Sequence, residues 1–219
     1  NGLDGFIYGF APTLTVASAT AVTKVYDGTT ALAGALPALT ITSPVAGDVL
    51  TVSGTPSGLF ASANASTSAS ILLSGAVSAL DGNRPVFGYK LDGSSLAATI
   101  TPKALTVALQ GAVSRAYDGT TLVSLSADNF NVTGLVANEG LTLNSATGNF
   151  ASKDVGTGLN VTTEISQVSF QPNSGTLLSN YIIPTSASGT IGEITPKALT
   201  VALTGTASKA YDGLLTVSL

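Results

Sequence analysis

Branched apolar side chains alternate with small polar ones along much of this chain. In Leu105-Thr106-Val107-Ala108-Leu109 every second residue is a branched apolar one, and Leu199, Val201 and Leu203 repeat the pattern. Val161, Thr163 and Ile165 follow the same period. A period of two belongs to a strand with one buried face. The runs are short and β-branched, and clusters of turn formers such as SPVAGD, SGTPSG, NSATGN and LSALDGN separate them. No capped stretch with helical periodicity is long enough to predict a helix, although ALAGALPAL at 31–39 is compatible with a short helical turn. The pattern predicts an all-β fold.

The elements recur. KVYDGTT at 24–30 returns as RAYDGTT at 115–121 and as KAYDGLL at 209–215, and ITPKALTVAL at 100–109 returns letter for letter at 194–203. Between these anchors VAGDVLTVSGTPSGLFAS (45–62) answers VANEGLTLNSATGNFAS (136–152), and Gly88-Tyr89 answers Asn180-Tyr181. The unit is about 90 residues, the size of a small all-β domain. Pro102 and Pro196 cannot donate to a sheet ladder, so each Thr-Pro-Lys step reads as a short stiff connector. The expected division is a tail of a preceding repeat at 1–11, a first full module at 12–102, a second at 103–196 and the first strands of a third at 197–219. Tandem antiparallel β modules follow, preferably as an immunoglobulin-like sandwich, with a β-grasp-like sheet as the alternative.

Tyr26-Asp27-Gly28, Tyr117-Asp118-Gly119 and Tyr211-Asp212-Gly213 are the recurring candidate site. Asp-Gly is a strong tight-turn signal, because Asp bonds to nearby backbone amides and Gly takes positive φ without a Cβ clash. The tyrosine is then expected at the end of a strand, its ring packed on its own module and its hydroxyl reaching a backbone carbonyl, as a tyrosine corner does. Lys24, Arg115 and Lys209 lie two residues earlier and on the same side, where an aliphatic stem could cover the ring. A metal reading is weaker: each Asp stands alone, and Asp81 and Asp92 do not make an oxygen-rich calcium loop.

Composition narrows the classes of function. Of 219 residues only 9% are charged against 44% hydrophobic, with a net charge of -4 and no His, Cys, Met or Trp. The basic residues are scattered singly, which gives no stripe for nucleic acid. Without His or Cys the usual general base and the strongest nucleophile are missing, and Glu139, Glu164 and Glu193 share no catalytic context with the scattered Asp residues. The expectation is a protein that is not an enzyme and uses no cofactor or metal. No apolar run is long enough to span a membrane, so membrane insertion by this segment is not expected. A surface of Ser and Thr carries little repulsion and permits lateral contacts between copies.

Tyr-Asp-Gly-Thr-Thr, followed by TGNFASKDVGTG (147–158), SNYII and ITPKALTV in that order, resembles the YDG-type repeats found in tandem in large bacterial adhesins, notably filamentous-haemagglutinin-like exoproteins of two-partner secretion. The resemblance covers essentially the whole chain. It implies a stalk or fibre module on the bacterial surface or outside the cell, with no catalytic residues, whose partners are neighbouring repeats. The first copy departs from the pattern at FASANASTSA (60–69), and the third reads YDGLL. Two alternatives stay open. Aromatics that recur between copies (Tyr26 and Tyr117, Phe60 and Phe150, Tyr89 and Tyr181) are expected in the core, whereas Phe87, Phe130 and Phe170 do not recur. Phe87 lies beside Arg84 and Lys90 in the loop that differs most between copies, which makes 81–93 a candidate binding loop for a glycan or extracellular polysaccharide. Low charge and strand edges would also suit self-assembly into filaments. Asn64, Asn131 and Asn160 begin N-glycosylation sequons, and Lys-Asn isopeptide staples are a further option for a fibre.

Overall fold

A computed structural model of the chain describes residues 13–42, 49–74, 78–82, 84–85, 90–92, 95–166 and 169–217. The first repeat contains β1 (Thr13–Ser18), β2 (Val22–Val25), β3 (Leu39–Thr42), β4 (Thr51–Ser53), β5 (Ser57–Phe60), β6 (Ser66–Ser74), β7 (Ser78–Asp81), β8 (Arg84–Pro85), β9 (Lys90–Asp92) and β10 (Ser95–Thr101). The second contains β11 (Lys103–Ala104), β12 (Thr106–Leu109), β13 (Val113–Ala116), β14 (Leu122–Leu125), β15 (Phe130–Thr133), β16 (Leu141–Leu143), β17 (Ala146–Phe150), β18 (Gly156–Glu164), β19 (Phe170–Pro172), β20 (Tyr181–Ile182) and β21 (Ser186–Thr195). Helix among the described residues is limited to 3-10 turns such as Ala127–Asn129 and Leu178–Asn180, so the fold is all-β. The segment 31–39 is bent, not helical, and Pro37 removes a donor from it.

The larger sheet of the second repeat has the order β13-β21-β18-β17-β14, and smaller pairs β12-β15, β16-β19 and β11-β20 accompany it. The first repeat follows the same plan with β2-β10-β6-β5 against β3-β1-β9 and β4-β7-β8. Among the described residues no strand of one repeat pairs with a strand of the other. Most pairs are antiparallel, but the purely antiparallel expectation is corrected by four parallel pairs, β1 with β9, β2 with β10, β11 with β20 and β13 with β21. β2 runs parallel to β10, with Val22 opposite Ala98 and Val25 opposite Thr101, and β13 runs parallel to β21, with Val113 opposite Gly192 and Ala116 opposite Thr195. Parallel partners need a long crossover, and here the crossover is most of the repeat.

Alternation on the strands builds the core. β12 and β14 each present exposed and buried residues in turn, so that Val107, Leu109, Val123 and Leu125 face inward. They meet Phe150, Val161 and Ile194 of the larger sheet and Phe130, Leu141 and Phe170 of the smaller pairs, which is sheet packed on sheet. Phe130 and Phe170, the described aromatics without a counterpart in the other copy, are therefore core residues. The apolar cluster is contiguous from Val16 to Ile194 and includes Tyr26 and Tyr181.

Residues 197–217 differ from the expectation of a third set of strands: they form no strand, and Leu199, Val201 and Leu203 are 80–88% exposed. The reason is topological. Their counterparts β12 and β13 are held by β15 and β21, which lie later in the repeat, and among the described residues 197–217 pair with no such strand. The identical decapeptides thus become a test of context. Leu105→Ala (6% exposed) is expected to cost about 2–5 kcal/mol in urea denaturation, whereas Leu199→Ala (87% exposed) leaves the midpoint unchanged.

Candidate functional site

Each Tyr-Asp-Gly loop is a small polar knot. The Asp27 carboxylate accepts from the Thr29 N–H and hydroxyl, both at 2.9 Å, and Asp118 does the same with Thr120. Gly28, Gly119 and Gly213 turn the chain at φ of +77°, +80° and +73°, the left-handed region that glycine enters without strain. The Lys24 ammonium, buried under the loop, donates to Asp27 at 2.7 Å and to the carbonyls of Thr29 and Ala31 at 2.6 and 3.0 Å. A buried cation is tolerated when its protons are all directed at acceptors. Burial alone would raise the Asp27 carboxyl, but the bonds from Lys24 and Thr29 outweigh it and hold it below the usual value. Asp118 is held low by Thr120 and then by Arg115, and Asp212 by Lys209 and the Leu214 N–H.

The charged end of the basic side chain lies over a phenylalanine ring. Lys24 Nζ lies 5.1 Å from the centre of the Phe60 ring, and the Arg115 guanidinium 5.4 Å from that of Phe150, both cation–π distances. The backbone closes the same contact, since Phe60 N–H donates to Thr30 and Phe150 N–H to Thr121, each at 2.8 Å. Tyr26 is then free to point elsewhere.

Strand direction decides where. The Tyr26 N–H donates to the Thr101 carbonyl and the Tyr117 N–H to that of Thr195, each at 2.8 Å, which prolongs the parallel pairs by one residue. Because the pairs are parallel, each tyrosine emerges at the pole where β10 or β21 leaves its repeat, beside Pro102 or Pro196. On the other side of Pro102, β11 pairs in parallel with β20 and brings Tyr181 to the leading pole of the second repeat. The two tyrosines meet there.

Tyr26 is 4% exposed, and its ring stands edge-on to that of Tyr181, with centroids 5.4 Å apart and planes at 83°. Both hydroxyls donate to the half-buried Glu139, Tyr26 to Oε1 and Tyr181 to Oε2. The Tyr181 hydroxyl in turn accepts the Val136 N–H at 3.0 Å. Next to it Asn180, 1% exposed, receives the Ala65 N–H on Oδ1 at 2.8 Å and donates through Nδ2 to the side-chain Oδ1 of Asn64 at 3.1 Å. One carboxylate, two phenols and two side-chain amides thus clasp the trailing pole of one repeat to the leading pole of the next. The expectation that each ring packs on its own module is corrected: Tyr26 packs on the following repeat, and its hydroxyl finds a side-chain carboxylate instead of a backbone carbonyl.

Among the described residues the other occurrences lack this partner. Tyr117 is 37% and Tyr211 98% exposed. Of the candidate binding loop, Phe87 lies outside the described residues, and Arg84 and Lys90 are placed only as backbone in β8 and β9. Among the described residues no three Asp or Glu side chains group as a metal site would need. Sequence reasoning passed over Glu139, Asn180 and the Phe60 and Phe150 contacts to the basic residues. The available signal was an acid at matching places, Asp48 and Glu139, in a chain that is poor in charge.

A model of the YDG domain matches residues 11–84 and again residues 101–189, more than half of the chain. The chain belongs to the YDG domain family and carries two consecutive domains of it. No curated protein and no solved structure matches it.

Two outcomes test the clasp. Gly28→Ala and Gly119→Ala share the cost of a left-handed alanine, roughly 1–2 kcal/mol. A Cβ on Gly28 would also come within 2.6 Å of Val136 Cγ1 across the junction, while one on Gly119 meets only the Tyr117 hydroxyl at 4.0 Å. Gly28→Ala is therefore the more destabilising in thermal unfolding; equal effects would remove the junction contact from the account. Burial, and then Glu139, push the Tyr181 phenol up to about 12 and raise Tyr26 above its usual 10.0. A phenol raised in the folded state contributes stability that is complete below pH 10 and is lost as pH climbs through its folded value. Tyrosinate absorbance should show two late-titrating phenols, with the junction loosening between about pH 10 and 12. In Tyr26→Phe one late phenol disappears.

Proposed function

We propose that this chain is a non-catalytic structural stretch of a bacterial cell-surface or secreted adhesin, in which consecutive YDG domains form a stalk that holds a distal adhesive region away from the cell. One observation carries the reading: a tyrosine that the family motif repeats is buried in the next repeat at the Tyr26–Glu139–Tyr181 clasp. A residue spent on its neighbour serves an array. Stability in such an array comes from each unit plus its interface with the next, so stiffness depends on the junction.

Magnitudes favour a junction that matters. A hydrogen bond to a carboxylate contributes roughly 1.5–3 kcal/mol, and an edge-to-face aromatic pair adds about 0.5–1.5 kcal/mol beyond its buried area. Against a flexible two-domain link that is enough to keep the poles together most of the time. The connector supports the same reading, since Pro102 restricts its own φ and the residue before it. Low charge, the absence of cysteine and a Ser/Thr-rich surface suit an extended extracellular polymer, and the order of the motifs resembles that of two-partner-secretion exoproteins.

Small-angle scattering from the 219-residue chain tests this directly. An elongated monomer is expected, with a maximum dimension independent of concentration, and Tyr26→Phe with Glu139→Gln should broaden the distance distribution without unfolding either domain. A polysaccharide that raised the melting temperature saturably would favour a binding module instead. Concentration-dependent growth would favour a self-assembling filament.

A further inference from the structure

The second repeat ends in a pole built like that of the first but, among the described residues, without a partner. Tyr117, Asp154, Val155, Pro196, Lys197 and Leu199 line an open cleft of about 500 Å³. By repeat position Tyr117 stands for Tyr26, Asp154 for Asn64 and Val155 for Ala65, the three residues that hold the second repeat at the first junction. Gly119 keeps the φ of Gly28, and the Tyr117 N–H keeps its bond to Thr195, so the loop is preset in the same shape. What changes is exposure: the ring is 37% accessible against 4% for Tyr26, and Val155 is 51% exposed.

Resting on the stalk reading above, we propose that this pole is the docking surface for a following YDG domain, one that would continue the repeat resumed at 194–203, and that it is read by an Asn-Tyr pair and a carboxylate on that domain. The chemistry of the three positions selects that partner. The exposed phenol of Tyr117 needs an aromatic edge and an anionic acceptor, which Tyr181 and Glu139 supply to Tyr26. Asp154 accepts and cannot donate, while the Val155 N–H, placed as that of Ala65, donates. A side chain that bonds to both must hold a donor and an acceptor together, and a primary amide does so as Asn180 does at the first junction.

The Asn64 to Asp154 exchange makes the second junction the more selective one. At the first, an Asp in place of Asn180 could still accept the Ala65 N–H, and Asn64 could turn its amide to donate. At the second it would bring two carboxylates together, which strongly disfavours contact. The two poles thus have the same shape and different tolerance for a single atom.

The chain contains no cysteine, so one introduced thiol reports one site. Residues 110–196 joined after Leu203 extend the chain by a further domain, and the decapeptide shared by 100–109 and 194–203 makes the splice silent. In that three-domain chain, maleimide labelling of Val155→Cys should slow by about tenfold or more relative to the 219-residue chain. The protection should vanish in Tyr117→Ala, weaken in Tyr117→Phe, and vanish when the added domain's counterpart of Asn180 is Asp. Asn180→Asp at the first junction should leave Ala65→Cys largely protected. If Ala65→Cys is protected while Val155→Cys labels equally fast in both chains, the docking proposal is overturned and the stalk reading stands. If neither thiol is protected, the stalk reading falls too. Protection of Val155→Cys that grows with concentration of the 219-residue chain would assign the cleft to a second chain and overturn the proposal.

Discussion

Two parallel strands that end together put their last residues at the same pole of a domain, and the structure of this chain depends on that constraint. β2 ends beside β10, and β10 is the strand by which the chain leaves the first repeat. A loop that follows β2 is therefore delivered to the exit, next to Pro102, whatever the rest of the domain does. Antiparallel pairing would have sent the same loop to the opposite pole, far from the next repeat. The parallel pair of β11 with β20 acts in the same way at the leading pole and sets Tyr181 opposite Tyr26. Topology supplies the meeting, and side chains supply the attraction.

The three Tyr-Asp-Gly loops separate what is local from what is tertiary. The third, at 209–216, has no sheet around it, yet Lys209 still pairs with Asp212 at 2.6 Å and the Leu214 N–H still bonds to the Asp212 carboxylate at 2.9 Å. Ion pair, Asx-type turn and left-handed glycine are thus written into a few adjacent residues. Burial is not: the basic side chain is 1% exposed in the first copy, 17% in the second and 30% in the third. The exposed pairs contribute little by themselves. Under Phe60 the Lys24 ammonium is desolvated while the Asp27 carboxylate stays half exposed, so burial acts on one partner of the pair.

This division also explains how much was legible in the sequence. The all-β fold, the repeat and the turn at Asp-Gly are properties of near neighbours and of period-two alternation, and they could be read directly. The parallel pairing could not, because β2 and β10 are separated by the rest of the repeat and alternation is the same in either direction. From that gap the other differences follow. Without the pole, Tyr26 looked like a residue of its own core, Glu139 looked like one more scattered acid, and Asn180 had no role. Residues 197–217 looked like strands because their letters match 103–123 in part, whereas strand formation there depends on partners that the repeat supplies later.

The central claim is that one carboxylate on the second domain holds a phenol of the first. A double-mutant cycle measures that link with least interference from other changes: Tyr26→Phe, Glu139→Gln and the pair, each unfolded in urea. The account predicts a coupling energy of about 1 kcal/mol or more between two residues 113 positions apart. Strict additivity of the two substitutions would contradict it.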